Sequence, residues 1–215
     1  HLYVLLSHFY CEQAKTLLEE NKRDEATSLL KKAIMIDGSQ VRAWLDLGRL
    51  ALAAENYKEA YSYLSEIPKR DVDWLSEAIP LLEEWADKTD GWEQLEKLLE
   101  PYCHKCASSY IAKVNIIARN GDSQYAIDIL VAQLQTHPTM RGFKTLLKLY
   151  QDNFNDAKKA QESLCHIQSL LDTQIGQHPK YRCNSCGFSG RQLHWLCPAC
   201  KTWSNVKPIK GLDGE

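Results

Sequence analysis

No stretch of this 215-residue chain approaches the roughly 18 consecutive apolar residues that span a bilayer. The opening Leu2-Tyr3-Val4-Leu5-Leu6 is too short, and it has neither the charged start nor the cleavage site of a signal peptide. A Gly-rich phosphate loop, an H-E-x-x-H helix and a nucleophile elbow are all missing, and the seven histidines are dispersed, so no enzyme is expected. The chain opens on His1 rather than Met, and it is read as part of a longer protein whose anchor or targeting segment would lie upstream. One sign of charge is also missing locally. Between Thr173 and Leu212 there is no acidic residue but six basic ones: Lys180, Arg182, Arg191, Lys201, Lys207 and Lys210. Residues 1–172 carry 20 basic against 26 acidic residues, a net of −6. This reversal marks an expected boundary between domains spanning 1–176 and 177–215.

Before the boundary the chain repeats with a period of 34, the length of a tetratricopeptide (TPR) unit. In the clearest copy, Val41–Trp74, Trp44, Leu47, Gly48 and Ala51 stand on a first helix, and Ala60, Leu64 and Ile67 on a second. Thirty-four residues earlier lie Tyr10, Ala14 and Leu17, then Ala26, Leu30 and Ala33. Small residues let paired helices approach closely and large ones fill the grooves between them. One pair cannot bury its apolar faces alone, so pairs stack into a solenoid. Asn21-Lys22-Arg23-Asp24, Glu55-Asn56-Tyr57 and Arg119-Asn120-Gly121-Asp122 supply turns. A third copy, from Ala78, Leu81, Leu82 and Trp85 to Leu95 and Leu98, slips by one residue. A fourth uses Tyr110, Val114 and Ile117, then Ala126 and Leu130. A looser helix pair is expected at about 140–153 and 155–175. The fold class is therefore all-α, with a small β-containing module after it.

That module holds Cys183-x-x-Cys186 and, ten residues on, Cys197-x-x-Cys200. Each C-x-x-C bends round one ion and offers two thiolates, so the four predict a tetrahedral site for zinc or iron. Two bridging disulfides are the alternative, and they suit the remaining composition poorly. His194 lies between the pairs and is expected outside a complete four-thiolate shell. Tyr181, Phe188, Trp195 and Trp203 are expected to build most of the apolar core. The basic residues either offset the charge of the thiolates or, with the aromatics, bind nucleic acid.

Two further sets invite a functional reading. By register, His8, Cys11, Lys15, Arg42, Leu45, Arg49 and Leu52 should line the concave groove, where the cations suit acidic side chains or a peptide carboxylate. Cys103-His104-Lys105-Cys106 is a third C-x-x-C, but it follows Glu100-Pro101 between helix pairs with no strand pattern beside it. It is read as inter-helix sequence first, with a disulfide or a redox or metal site as alternatives.

The two knuckles, the first followed by Gly187-Phe188 and the second containing Pro198, resemble rubredoxin or a zinc ribbon. Ten residues between the pairs are fewer than in free-standing rubredoxins, and Lys201 stands where those have a second glycine. Repeats followed by such knuckles, the run 195–200, the tail 207–214 and the segment 137–141 together resemble the C-terminal part of the lipopolysaccharide assembly protein B family of Gram-negative bacteria. That resemblance implies a non-enzymatic adaptor at the cytoplasmic face of the inner membrane, held there by an N-terminal helix not in this chain. It implies Cys183, Cys186, Cys197 and Cys200 as metal ligands. It also implies three protein partners: the protease FtsH, the UDP-acyl-GlcNAc deacetylase of lipid A synthesis, and a membrane-bound antagonist. Adaptor action would lower lipopolysaccharide synthesis by promoting degradation of the deacetylase; a homodimer is compatible with it. The residues alone leave two other functions open: nucleic-acid binding by the ribbon, and iron-based electron transfer.

Overall fold

The computed structural model describes residues 2–153 and 178–209, with positions 164, 165, 168, 172, 175 and 176 between them. The chain divides into two compact units, 1–102 and 103–215. The first unit contains α1 (Leu2–Glu19), α2 (Arg23–Ile36), α3 (Val41–Ala53), α4 (Tyr57–Leu64), α5 (Ile67–Arg70), α6 (Leu75–Thr89) and α7 (Trp92–Leu99). Packing follows the repeat: α1 on α2, α3 on α4 and α6 on α7 within pairs, with α2 on α3 and α4 on α6 between pairs.

The period in the sequence reappears as one backbone device. In the four helix pairs whose turns are described, the first helix ends in a residue of positive φ: Asn21 (61°), Glu55 (57°), Asp90 (54°) and, in the second unit, Gly121 (94°). The next residue donates its N–H back to a carbonyl five positions earlier, as in a Schellman motif. These bonds are Lys22 to Leu17 (2.8 Å), Asn56 to Ala51 (2.8 Å), Gly91 to Ala86 (3.1 Å) and Asp122 to Ile117 (3.3 Å). The shift from 34 to 35 residues between the second and third copies is the expected one-residue slip.

Gly48 of α3 shows why the small positions matter. A Cβ built there would lie 2.4 Å from Leu64 Cδ2 and 2.6 Å from its Cγ, and Leu64 is fully buried. Ala14, its repeat equivalent on α1, and Ala26 of α2, the equivalent of Ala60, are likewise buried, in a core with Leu30, Ala33 and Leu47. One element departs from expectation. Ile67 does not continue α4 but opens the separate α5, with Pro68 in its first turn. Proline lacks an N–H for the Leu64 carbonyl and its ring would clash there, so the helix stops and restarts. Indole N–H groups fasten neighbouring turns: Trp85 Nε1 donates to the Tyr57 carbonyl and Trp44 Nε1 to that of Gly38, each at 3.0 Å.

In the second unit α8 (Ala107–Arg119) packs on α9 (Ser123–Thr136), and α10 (Met140–Asn153) packs on both. Val114, Ala126, Ile127, Leu130, Leu134 and Leu149 form their core. The helix expected over 155–175 falls almost wholly outside the described residues. Beyond it lies an antiparallel sheet in the order β2-β1-β3, from β1 (Tyr181–Cys183), β2 (Ser189–Gly190) and β3 (Val206–Pro208). Cys183 stands opposite Val206, and Tyr181 opposite both Gly190 and Pro208. Among the described residues, no helix is long and apolar enough to cross a membrane.

Candidate metal centre

β1 delivers the first knuckle. Cys183 ends the strand, and the chain turns at once so that the Gly187 N–H reaches the Cys183 carbonyl at 2.9 Å and the Cys183 N–H reaches that of Phe188 at 2.7 Å. The second knuckle repeats this position for position. Lys201 N–H donates to the Cys197 carbonyl (3.0 Å) and Cys197 N–H to that of Thr202 (2.9 Å). The turn demands a left-handed residue after each second cysteine: Gly187 at φ 76° and Lys201 at φ 56°. Lysine in the rubredoxin glycine position therefore keeps the knuckle geometry, at the steric cost a Cβ meets in that region.

The four sulfurs lie within 4.8 Å of one another. Cys183 Sγ is 3.7 Å from Cys200 Sγ, and Cys186 Sγ is 3.7 Å from Cys197 Sγ. A disulfide requires about 2.05 Å. A tetrahedron with metal–sulfur bonds of about 2.3 Å has edges of about 3.8 Å, so the donor set fits one ion. Cys183 and Cys197 are buried, Cys200 is half-buried and Cys186 is exposed. Electrostatics point the same way. The Thr202 hydroxyl, 2.9 Å from Cys200 Sγ, and the Thr202 N–H bring that thiol down to about 6. Cys186 receives the Phe188 N–H, which lowers it, but desolvation and the neighbouring sulfurs push it up to about 12. Four crowded sulfurs cannot all be anions until a cation joins them, and a bound divalent ion supplies that charge. The cysteines thus form a metal-binding cluster.

Around it, Tyr181, Cys183, Cys197 and Val206 make the ribbon core, with Phe188 and Leu193 against it. Trp195 and Trp203, expected in that core, stay half-buried outside it; the sulfurs themselves fill the centre. His194 meets Phe188 in a T-shaped ring contact, with centroids 6.0 Å apart, and is not in the cluster. The described cations are spread over the ribbon: Lys180 sits over the Tyr181 ring at 5.1 Å, and Arg191 donates to the Gly176 carbonyl at 2.8 Å.

The groove set divides. Lys15 and Arg49 are exposed, whereas His8, Cys11, Arg42, Leu45 and Leu52 are buried. The Arg42 guanidinium is 2.6 Å from Glu12 Oε1 on α1, while Asp46 lies 3.8 Å from Arg42 and 3.3 Å from Arg49. Periodicity gives the face these residues share but not how deeply the neighbouring pair covers it. Glu12, missed in the sequence, is the partner of Arg42 across 30 positions. Cys103 is buried and Cys106 is the extended residue that opens α8.

These features define a class: a TPR repeat protein carrying a rubredoxin-type metal-binding module. Residues 17–83 match the tetratricopeptide repeat family and residues 181–208 the rubredoxin metal-binding domain. The particular relatives are proteins named lipopolysaccharide assembly protein B. That of Escherichia coli K12 is 35% identical over 98% of this chain, and that of Haemophilus influenzae Rd is 26% identical over 97%. The resemblance read from the knuckles and tail is thus borne out along the chain. The chain spans about half the length of these relatives, 54% and 52% respectively. A thermophilic TPR protein of Thermus thermophilus superposes at a TM-score of 0.43 with 17% identity, covering 78% of this chain and 99% of its own.

Proposed function

We propose that the chain is the scaffold portion of a regulator of lipopolysaccharide assembly, and that it works by binding proteins rather than by catalysis. The observation that carries this reading is the union, in one chain, of stacked TPR pairs and a four-cysteine module, matched over 98% of its length by lipopolysaccharide assembly protein B. Repeat arrays offer extended surfaces to partners, and a metal staple gives a small module a fixed shape. In finer detail, residues 1–176 form the repeat domain and 177–215 the metal module. Cys183, Cys186, Cys197 and Cys200 hold one zinc or iron ion. The adaptor acts at the cytoplasmic face of the inner membrane and brings the UDP-acyl-GlcNAc deacetylase to FtsH. It raises the effective concentration of substrate at the protease, and a membrane-bound antagonist relieves this. On the repeat face, Lys15 and Arg49 are the accessible cations of the groove set, and we assign them to acidic partner segments.

A graft tests the adaptor reading. The chain replaces the matching half of the Escherichia coli relative in cells lacking their own copy, and deacetylase abundance is followed after synthesis is stopped. Rapid loss of the deacetylase is expected. A graft that accumulates normally yet leaves the deacetylase as stable as in the deletion strain overturns the reading.

A further inference from the structure

The two knuckles match in their backbone bonds but not in their side chains, and the difference falls on the metal cluster. Cys186 and Cys200 are equivalent, and so are Phe188 and Thr202, each two residues after its cysteine. In both knuckles the N–H of that residue points at the sulfur. Only Thr202 adds a hydroxyl, 2.9 Å from Cys200 Sγ and 4.0 Å from Cys183 Sγ of the other knuckle. When a metal ion holds the sulfurs as thiolates, they have no proton to give, so the hydroxyl must be the donor. Its proton then lies against Cys200 and beside a buried ligand of the opposite knuckle. A hydrogen bond to a bound thiolate draws electron density off the sulfur, weakens it as a nucleophile and fixes its direction.

We propose that Thr202 is a positioning residue for the metal ion: its hydroxyl shields Cys200 and leaves the exposed Cys186, which has no hydroxyl donor at the equivalent place, as the ligand at which the cluster opens. This rests on the four cysteines holding a metal, and the test separates the two ideas. The whole chain is loaded with zinc or cobalt(II) and compared with Thr202→Val, which removes the hydroxyl at nearly constant shape, and with Thr202→Ser, which keeps it. Three readouts are taken: loss of zinc to a chelator, the cobalt–thiolate charge-transfer band, and alkylation rates at each cysteine. Removing a group that orients a metal ligand typically costs about 10-fold or more in retention. We expect Thr202→Val to lose zinc about 10-fold faster, to move the band to lower energy and to make Cys200 more reactive than in the unaltered chain. Thr202→Ser should restore all three. Thr202→Ala is read in the same way, so failure of the valine variant to fold does not protect the idea. Identical zinc loss, band and Cys200 labelling in the variants and the unaltered chain overturn it while leaving the metal site intact. Labelling of Cys200 before Cys186 in the unaltered chain also overturns it. A chain that takes up neither metal removes the foundation instead.

Discussion

His8 shows what burial does to a single side chain. Desolvation, helped by the nearby Arg42 charge, depresses its pKa from 6.5 to about 4. The unfolded chain then takes up a proton near pH 6.5 that the folded chain refuses until about pH 4, so stability falls as pH drops through that window. At roughly 1.4 kcal/mol per pKa unit this is a few kcal/mol. His8→Gln should flatten the dependence of the urea midpoint on pH between 6.5 and 4, and an unchanged slope would show that His8 is not responsible. Gly48 makes the steric counterpart. Gly48→Ala gains about 1 kcal/mol of helix propensity. It also places a methyl inside the contact distance of an immobile Leu64, a clash that costs about 1–3 kcal/mol. A net loss of about 1 kcal/mol is expected in equilibrium unfolding; a gain would mean that α3 and α4 can separate without cost.

Among the elements, the knuckles test whether their turns or their surroundings set the geometry. A Cβ at Gly187 meets nothing within 4 Å, so Gly187→Ala is opposed only by its φ of 76°. Lys201 already bears that strain at φ 56°. Gly187→Ala should therefore speed zinc loss to a chelator, and Lys201→Gly should slow it, each by roughly 1 kcal/mol of module stability. Equal rates in the two variants would place the control elsewhere. Legibility in the sequence differs at this scale too. The positions of α1–α4 were readable because apolar side chains recur at 34 residues. The break before α5 follows from Pro68, whose effect depends on where the Leu64 carbonyl falls.

For the whole molecule, the two kinds of core predict unequal responses to metal removal. The described repeats bury Leu30, Leu64, Leu82 and Leu130 in cores built from side chains outside the four-cysteine cluster, whereas Cys183 and Cys197 are half of the ribbon's own buried core. A chelator, or Cys186→Ser, should abolish the ordered signals of 178–209 while leaving most of the helical circular dichroism. Collapse of both together would tie the repeats to the metal. In the graft, Cys186→Ser should also stabilise the deacetylase.

The sequence by itself determined the repeat length, three of the four turns after the first helices of the described pairs (not the one at Asp90) and the four cysteines of the cluster. Each of these is local: a helix period, a turn segment or a two-residue spacing can be counted along the chain. Tertiary structure alone decided which groove residues stay accessible, because Arg42 is met by Glu12 from another helix and the depth of His8 depends on how closely helix pairs stack. It likewise decided that the tryptophans stand outside the ribbon core, and that Thr202, unremarkable in the sequence, lies against a sulfur of each knuckle. Such contacts join residues far apart in the chain, and only the folded backbone fixes their distance.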